Sequence, residues 1–276
     1  MKNLFRFSCA FLAIFLLFGG CAAAPEPTLS VTLLKVGKAD AMVALAGEHA
    51  LVIDAGEEDD GQEVVDFLWK NGIRRVDAMV ITHFDKDHVG GADTVLEQIP
   101  VESVYLPDYE GTHPEYDEFL LAAEACGVPL VRLREAMEFP LGDAEVRIEP
   151  PESYEISDES KDSDNNFSLI TTIVHGENRM VFMGDAKKQR IREWMEGGSA
   201  QRCDFLKVPH HGVYNKALPE LFQALQPEYA VICCSDKNPP EPKTLAQLAQ
   251  FCPHIYETRN GDVRVLSNGI SLEVQQ

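Results

Sequence analysis

Between Val80 and Gly91 the chain reads "VITHFDKDHVGG", which sets His83, Asp85, Asp87 and His88 within six positions. Imidazole nitrogens and carboxylate oxygens are the usual ligands of divalent cations, and one loop carrying four of them can serve two ions. As a continuation of the apolar run Val80-Ile81, the segment is expected to be extended, which points His83, Asp85 and Asp87 to one side. His88 follows at the turn, and Gly90-Gly91 is expected to let the chain bend. Taken alone, the competing reading is a solvated polar loop.

Three further stretches weigh against that reading. "VFMGDA" puts Asp185 directly after an apolar strand, "LKVPHHG" does so with His210 and His211, and "VIDAG" with Asp54. Most buried strands end in ordinary turn residues. Four endings in acid or imidazole imply one shared rim site. The sequence holds no G-x-S-x-G elbow and no phosphate-binding Gly-rich loop, so the chemistry points to an activated water rather than a serine or cysteine nucleophile.

Strands must deliver these residues. The chain alternates strand-like and helix-like runs in two successive blocks. The first holds "LSVTLLKVG", "AMVALAGE", "HALVIDAG", the helical "GQEVVDFLWKNG", "VDAMVITH", the helix "GADTVLEQI", the strand "VESVYLP" and the helix "PEYDEFLLAAEACG". The second begins at "AEVRIEP", "FSLITTIVHG" and "NRMVFMGD", and closes with "DVRVL" and "ISLEV". This order predicts an α/β fold, two sheets packed face to face with helices on both outer faces, an αββα four-layer sandwich. Nothing marks a linker, so residues 29–276 are expected to form one domain, and Ser153–Asn166 an exposed loop.

The 276 residues carry 45 acidic against 24 basic side chains, a formal charge of −21. That balance opposes a long nucleic-acid footprint, although bound metal can reverse the sign locally. At the N-terminus, Lys2 and Arg6 precede "FLAIFLLF", an apolar run too short to span a bilayer. "FGGC" then resembles the lipobox of bacterial lipoproteins, with Phe18 where leucine is usual. Residues 1–20 are therefore expected to be a signal peptide, Cys21 a lipid anchor and residues 21–28 a tether. The expected location is the extracellular face of a bacterial membrane, with simple secretion as the alternative. Cys126, Cys203, Cys233, Cys234 and Cys252 show no C-x-x-C spacing and read mainly as small apolar residues.

With these stretches together, the sequence resembles the metallo-β-lactamase superfamily over nearly all of the mature chain. "THFDKDHVGG" resembles H-x-H-x-D-H, with Asp85 in place of the second histidine. The hydrolase domain of the competence DNA-uptake protein ComEC is the branch it resembles most. "KVGKADAMV" is similar to V-G-Q-G-D-A, departing at Lys38 and Ala39. "NNFSL" is similar to N-x-x-S-L, "LKVPHHG" to L-K-x-x-H-H-G, and "NGDVRV" to the closing strand. That protein's membrane channel has no counterpart in this sequence, so the resemblance is to a stand-alone form of the domain.

The resemblance implies Asp87, His88 and His210 around one ion, His83 and Asp85 around another, and Asp185 bridging both. His211 stands beside His210 as a second imidazole. Asp54 is implied as support for the metal loop. Asn165 takes the place of a third histidine, as a ligand or as a group that orients water. The cofactor expectation is two divalent ions, zinc first. Asp85 and Asn165 make the first position rich in oxygen, which also admits Mn²⁺ or Mg²⁺. Asp87 and Asp185 are the candidate catalytic proton acceptors. The implied activity is phosphodiester hydrolysis, with single-stranded DNA as one substrate. The alternatives are a cell-wall phosphodiesterase, a phosphorylcholine-esterase-like hydrolase, a lactamase, or a binding lipoprotein without catalysis. Lys187, Lys188, Arg190, Arg192, Lys207 and Lys216 read either as bases for an anionic substrate or as a solvated face.

Overall fold

A computed structural model describes residue 26, residues 28–155 and residues 163–276. The expected signal peptide and Cys21 lie outside the described residues. The first block supplies β1 (Leu29–Leu33), β2 (Ala41–Ala46), β3 (His49–Ala55), β4 (Ala78–Val80), β5 (Val104–Pro107) and β6 (Leu130–Leu133). The second supplies β7 (Met137–Leu141), β8 (Ala144–Glu149), β9 (Ile170–His175), β10 (Asn178–Phe182), β11 (Phe205–Lys207), β12 (Tyr229–Ile232) and β13 (His254–Glu257). The last two strands, β14 (Val263–Ser267) and β15 (Leu272–Gln275), return to the first sheet, which runs β15-β14-β1-β2-β3-β4-β5-β6. The second sheet runs β13-β12-β11-β10-β9-β8-β7.

The apolar side chains sort into three clusters, one for each interface of a four-layer sandwich. Along β3, Ala50 and Val52 face the first outer layer while Leu51 and Ile53 face the second sheet. Alternation with both faces buried is why such strands read as unbroken apolar runs. Helices α1 (Gly61–Lys70), α2 (Lys86–Val89), α3 (Ala92–Gln98) and α4 (Pro114–Cys126) follow the strands of the first sheet. Val64, Val65 and Leu68 of α1, Val95 of α3 and Phe119 of α4 cover its outer face. In α4, Pro114 occupies the first turn and Gly127, at φ 67°, takes the left-handed stop.

After the short α5 (Ser163–Asn166), helices α6 (Lys188–Glu196), α7 (Leu218–Leu225) and α8 (Pro242–Leu248) belong to the second block. Ile191, Trp194, Leu221, Phe222 and Leu248 cover the far face of the second sheet. The α/β sandwich expected from the sequence is the fold observed.

Topology then collects one rim. Strands β3 and β4 run parallel, as do β10 and β11, so each pair ends at the same edge. Strand β2 is antiparallel to β3, and β9 to β10, so the residues just before β2 and β9 sit at that edge as well. The two sheets are joined there by Leu169 N–H donating to Thr82 O at 2.9 Å.

One local expectation about the polar loop fails. Asp85 is extended, at φ −67° and ψ 143°, but it opens α2, so Asp87 and His88 lie in a helical turn rather than on an extended strand. The chain does turn at Gly90 and Gly91 between α2 and α3, as expected, but with ordinary negative φ values of −54° and −85°. Close packing requires them instead: a Cβ on Gly91 would lie 2.4 Å from Ala55 O, and one on Gly90 2.4 Å from Lys86 O. The glycines let the metal loop press against the end of β3.

Candidate metal centre

Thr82, two residues past the end of β4, begins the site. Asp54, at the end of β3, accepts hydrogen bonds from Thr82 N–H and Thr82 Oγ1, both at 2.7 Å. Its Oδ2 also lies 2.8 Å from His88 Nδ1. Asp54 sits at φ 55°, a left-handed conformation that costs a non-glycine residue on the order of 1–3 kcal/mol and persists only where surroundings hold it. Its carboxylate anchors Thr82 and turns the opposite edge of His88, Nε2, into the rim. There His88 Nε2 stands 3.4 Å from Asp185 Oδ1. Gly184, before Asp185, has φ 49°, and a Cβ there would meet Thr82 at 2.9 Å.

Among the described residues, ligand-type atoms within 4.8 Å of one another fall into three groups that share His88: His83 with Asp185, Asp87 with His211, and Asp40 with Asp54. His211 Nε2 lies 3.0 Å from Asp185 Oδ2 and 3.4 Å from Asp87 Oδ2. The sequence reading placed His210 in that role. The structure corrects this: His210 and His211 both take left-handed φ values, 50° and 52°, and the chain turns the second ring into the cluster. Among the described residues no carboxylate lies within 4.0 Å of the His210 imidazole, and burial pulls it down to about 4 against the attraction of Asp185. His211 moves the other way. Burial opposes its protonation, but Asp185 and Asp87 outweigh it and raise it to about 9.

The same balance recurs around it. His88 is raised well above the ordinary imidazole value despite full burial, because Asp185, Asp54 and Asp40 surround it. Burial would raise Asp185 and Asp87, yet His211 and His88 hold both well below the usual carboxylate range. Lys38 Nζ adds a contact of 2.6 Å to Asp87 Oδ2.

The donor atoms also fit a cation. His88 Nε2, Asp185 Oδ1 and both ring nitrogens of His211 are buried without an aligned hydrogen-bond partner. Buried polar atoms left so are costly unless something else satisfies them. Asp87, His88, Asp185 and His211 would hold an ion in the deep half, with Asp185 shared by the outer half.

The outer half is looser. His83 Nε2 lies 3.5 Å from Asp85 Oδ2, and Asn165 Nδ2 reaches the same oxygen at 3.3 Å and His83 Nε2 at 3.4 Å. His83, Asp85 and Asn165 thus meet as expected. Burial pushes Asp85 up, but His83 and His88 bring it below its ordinary value. His113 Nε2 approaches Asp85 Oδ1 at 3.9 Å from the mouth.

The sequence reading missed Asp40 and Thr82 as site residues. For Asp40 the signal was present, as the acid of "KVGKADAMV". Two of the bases also need correction. Arg190 is buried, donating from Nη2 to Glu149 O at 2.7 Å and from Nε to Ser168 O at 3.0 Å. Lys207 is fully buried and paired with Asp40. Neither faces a substrate. The remaining cysteines are free, and all but Cys126 are buried. Beside the metal loop, a cavity of ≈ 510 Å³ is lined by Asp108, Tyr109, Arg134, Glu152 and Tyr154. Tyr109 joins it to the loop by accepting a hydrogen bond from Phe84 N–H at 2.9 Å.

A family model described as the Metallo-beta-lactamase superfamily matches residues 34–236. ComE operon protein 3 of Bacillus subtilis is 29% identical over 209 residues, covering 74% of this chain and 26% of that protein. Recombination protein 2 of Haemophilus influenzae is 24% identical over 260 residues, covering 91% of this chain and 30% of its own length. The chain spans less than a third of these two relatives. Among solved structures, the metallo-beta-lactamase fold protein YhfI from Bacillus subtilis superposes with a TM-score of 0.59 at 9% identity, covering 91% of this chain and 100% of that one. Tm1679, described as a metal-dependent hydrolase of the beta-lactamase superfamily, gives 0.58 at 13% identity, covering 87% and 100%. At such identities the structural likeness speaks to the fold alone.

Proposed function

The chain belongs to the metallo-β-lactamase superfamily, and from that premise we propose that it is an exported, metal-dependent hydrolase that cleaves phosphodiester bonds with an activated water. One observation carries the reading: Asp87, His88, Asp185 and His211 converge with unpartnered ligand atoms in a buried, acid-rich cluster. The likeness to Recombination protein 2, a name that points to nucleic acid, favours a phosphodiester over a lactam as the bond cut. We take zinc as the first candidate ion, with Mn²⁺ or Mg²⁺ admitted by the oxygen-rich outer half. Cys21 as a lipid anchor on the outer face of the membrane belongs to the same proposal.

Divalent ions bound there would lower the pKa of a water toward neutrality and offset charge growing on the substrate oxygen. The protein's own part is positioning and proton handling. Asp54 fixes His88 through Nδ1, and Thr82 Oγ1, 3.1 Å from His83 Nδ1, steadies the outer ring. Asp185 lies between His88 and His211 and links the two halves. Asp87, next to the half-exposed Lys38, is the carboxylate we assign to accept the proton released by the attacking water. The cavity at Tyr109 is the groove we assign to the substrate.

The test is hydrolysis of bis-p-nitrophenyl phosphate by the purified protein, before chelation, after it, and after zinc or manganese is restored. Loss and recovery of the rate, with nitrocefin untouched, supports the reading. A metal-loaded protein inert toward the diester and toward single-stranded DNA overturns it.

A further inference from the structure

Two motifs remain outside the account so far. Asp40 precedes β2 in the first sheet, and Lys207 ends β11 in the second, yet their side chains meet in the interior. Both are 0% exposed, so neither can touch a substrate. Lys207 Nζ pairs with Asp40 Oδ2, donates to Gly184 O at 3.0 Å and stands 3.7 Å from Asp185 Oδ1. The second oxygen of Asp40 faces His211 Nδ1 at 3.6 Å, and Oδ2 lies 3.8 Å from His88 Nδ1. The backbone is tied in as well: Asp40 N–H donates to Asp87 O at 3.0 Å, and Gly56 N–H to Asp40 O at 2.9 Å.

Stability is a poor reason to bury such a pair. Two charges removed from water carry a desolvation penalty that their attraction often fails to recover, and apolar replacements of similar volume are frequently neutral or better. Placement gives a stronger reason. From behind, this one pair reaches the side chains of His88, Asp185 and His211 and the backbone of Asp87, which are the deep half of the centre.

We propose that the Asp40–Lys207 ion pair is a positioning device that pre-forms the deep metal position. Asp40 Oδ1 stands 3.6 Å behind the Nδ1 edge of His211, beyond hydrogen-bond distance, and its charge favours the ring orientation that turns Nε2 toward Asp87 and Asp185, whereas Asp54 bonds His88 Nδ1 directly. Lys207 holds the Gly184 carbonyl and the neighbouring Asp185 in place. It also offsets the charge of Asp40, which would otherwise be a further carboxylate competing for the cation beside His88. This inference rests on the metal-centre reading and adds the residues that set its affinity.

The test is calorimetric titration of the metal-free full chain with zinc, beside thermal melting and the visible spectrum of the cobalt-loaded protein. The variants are Lys207→Met and the double variant Asp40→Asn/Lys207→Met. The single change leaves Asp40 uncompensated and risks unfolding, while the double change removes both charges at similar volume. The expected double variant melts within a few degrees of the parent. It binds one of its two zinc ions at least ~10-fold more weakly, as loss of such supporting groups usually causes, and its cobalt bands shift. A double variant that binds both ions with parental affinity overturns the proposal. So does one that cannot fold, because the pair would then serve the fold. A parent that binds no zinc instead overturns the metal-centre reading itself.

Discussion

The two halves of the rim are built differently. In the deep half, His88 and Asp185 are buried, every ring has a carboxylate behind it, and an internal ion pair closes the back. In the outer half, the side chain of Asp85 is 32% exposed, and an amide, Asn165, stands opposite His83. The deep half is over-determined by contacts that exist before any ion arrives. The outer half depends on one shared carboxylate, on Asn165 and on the mouth of the site. Pre-formed ligands lose little freedom when an ion binds, so the deep position should fill first and hold hardest.

The largest expected effect comes from the group both halves share. Asp185→Asn should remove ligands from both positions and lower diester hydrolysis by on the order of 10³-fold or more, given what a two-metal site contributes. Steady-state kinetics and a metal count on the same sample would check it. A variant retaining both ions and most of the rate would dissolve the contrast.

Next comes the pair of adjacent histidines. His211→Ala should weaken zinc binding in the deep half by at least ~100-fold, since it removes a ligand rather than a supporting group. His210→Ala should leave zinc affinity nearly unchanged. Calorimetry on the two variants decides between them, and a reversed order would restore His210 to the site.

A smaller change sharpens the contrast from the other side. Asn165→His would place an imidazole against His83 and Asp85. Zinc in the outer position should bind roughly 10-fold tighter, and the preference for zinc over manganese should rise, because imidazole favours the softer ion. Competitive metal titration would show it.

The smallest effect is a pH dependence. In the metal-free protein His211 is raised to about 9, with burial opposing and Asp185 and Asp87 prevailing. A folded value above the unfolded one, about 6.5, means that its contribution to stability is complete below that pH and is lost as pH rises through 9. The melting temperature of the metal-free protein should therefore fall over that window. Zinc-loaded protein should lose less, because metal binding requires the deprotonated ring. Parallel melting curves for the two forms would contradict this.

Much of this was legible in the sequence. The strands buried on both faces and the acids and imidazoles at their ends were visible as patterns, and the four-layer order followed from them. The strands that escaped reading are β6, β7 and β13, which all lie at sheet edges. The part-buried residues of β6 and β13 show no clean alternation, and β7, although its burial alternates, carries Pro140, which counts against a strand away from a sheet edge. Asp40 escaped because it begins a strand instead of ending one, and only antiparallel pairing brings that start to the rim. The choice between His210 and His211 turns on two consecutive left-handed residues, which sequence does not announce. Lys207 looked like a surface base because lysine is rarely buried without a partner, and its partner lies 167 positions earlier in the chain.

The most direct test is the anomalous-scattering map of a crystal of the mature protein grown with zinc. Two peaks are expected, the stronger among Asp87, His88, Asp185 and His211, the weaker among His83, Asp85 and Asp185. A peak held by His210 in place of His211, or no peak in the rim at saturating zinc, would contradict the account.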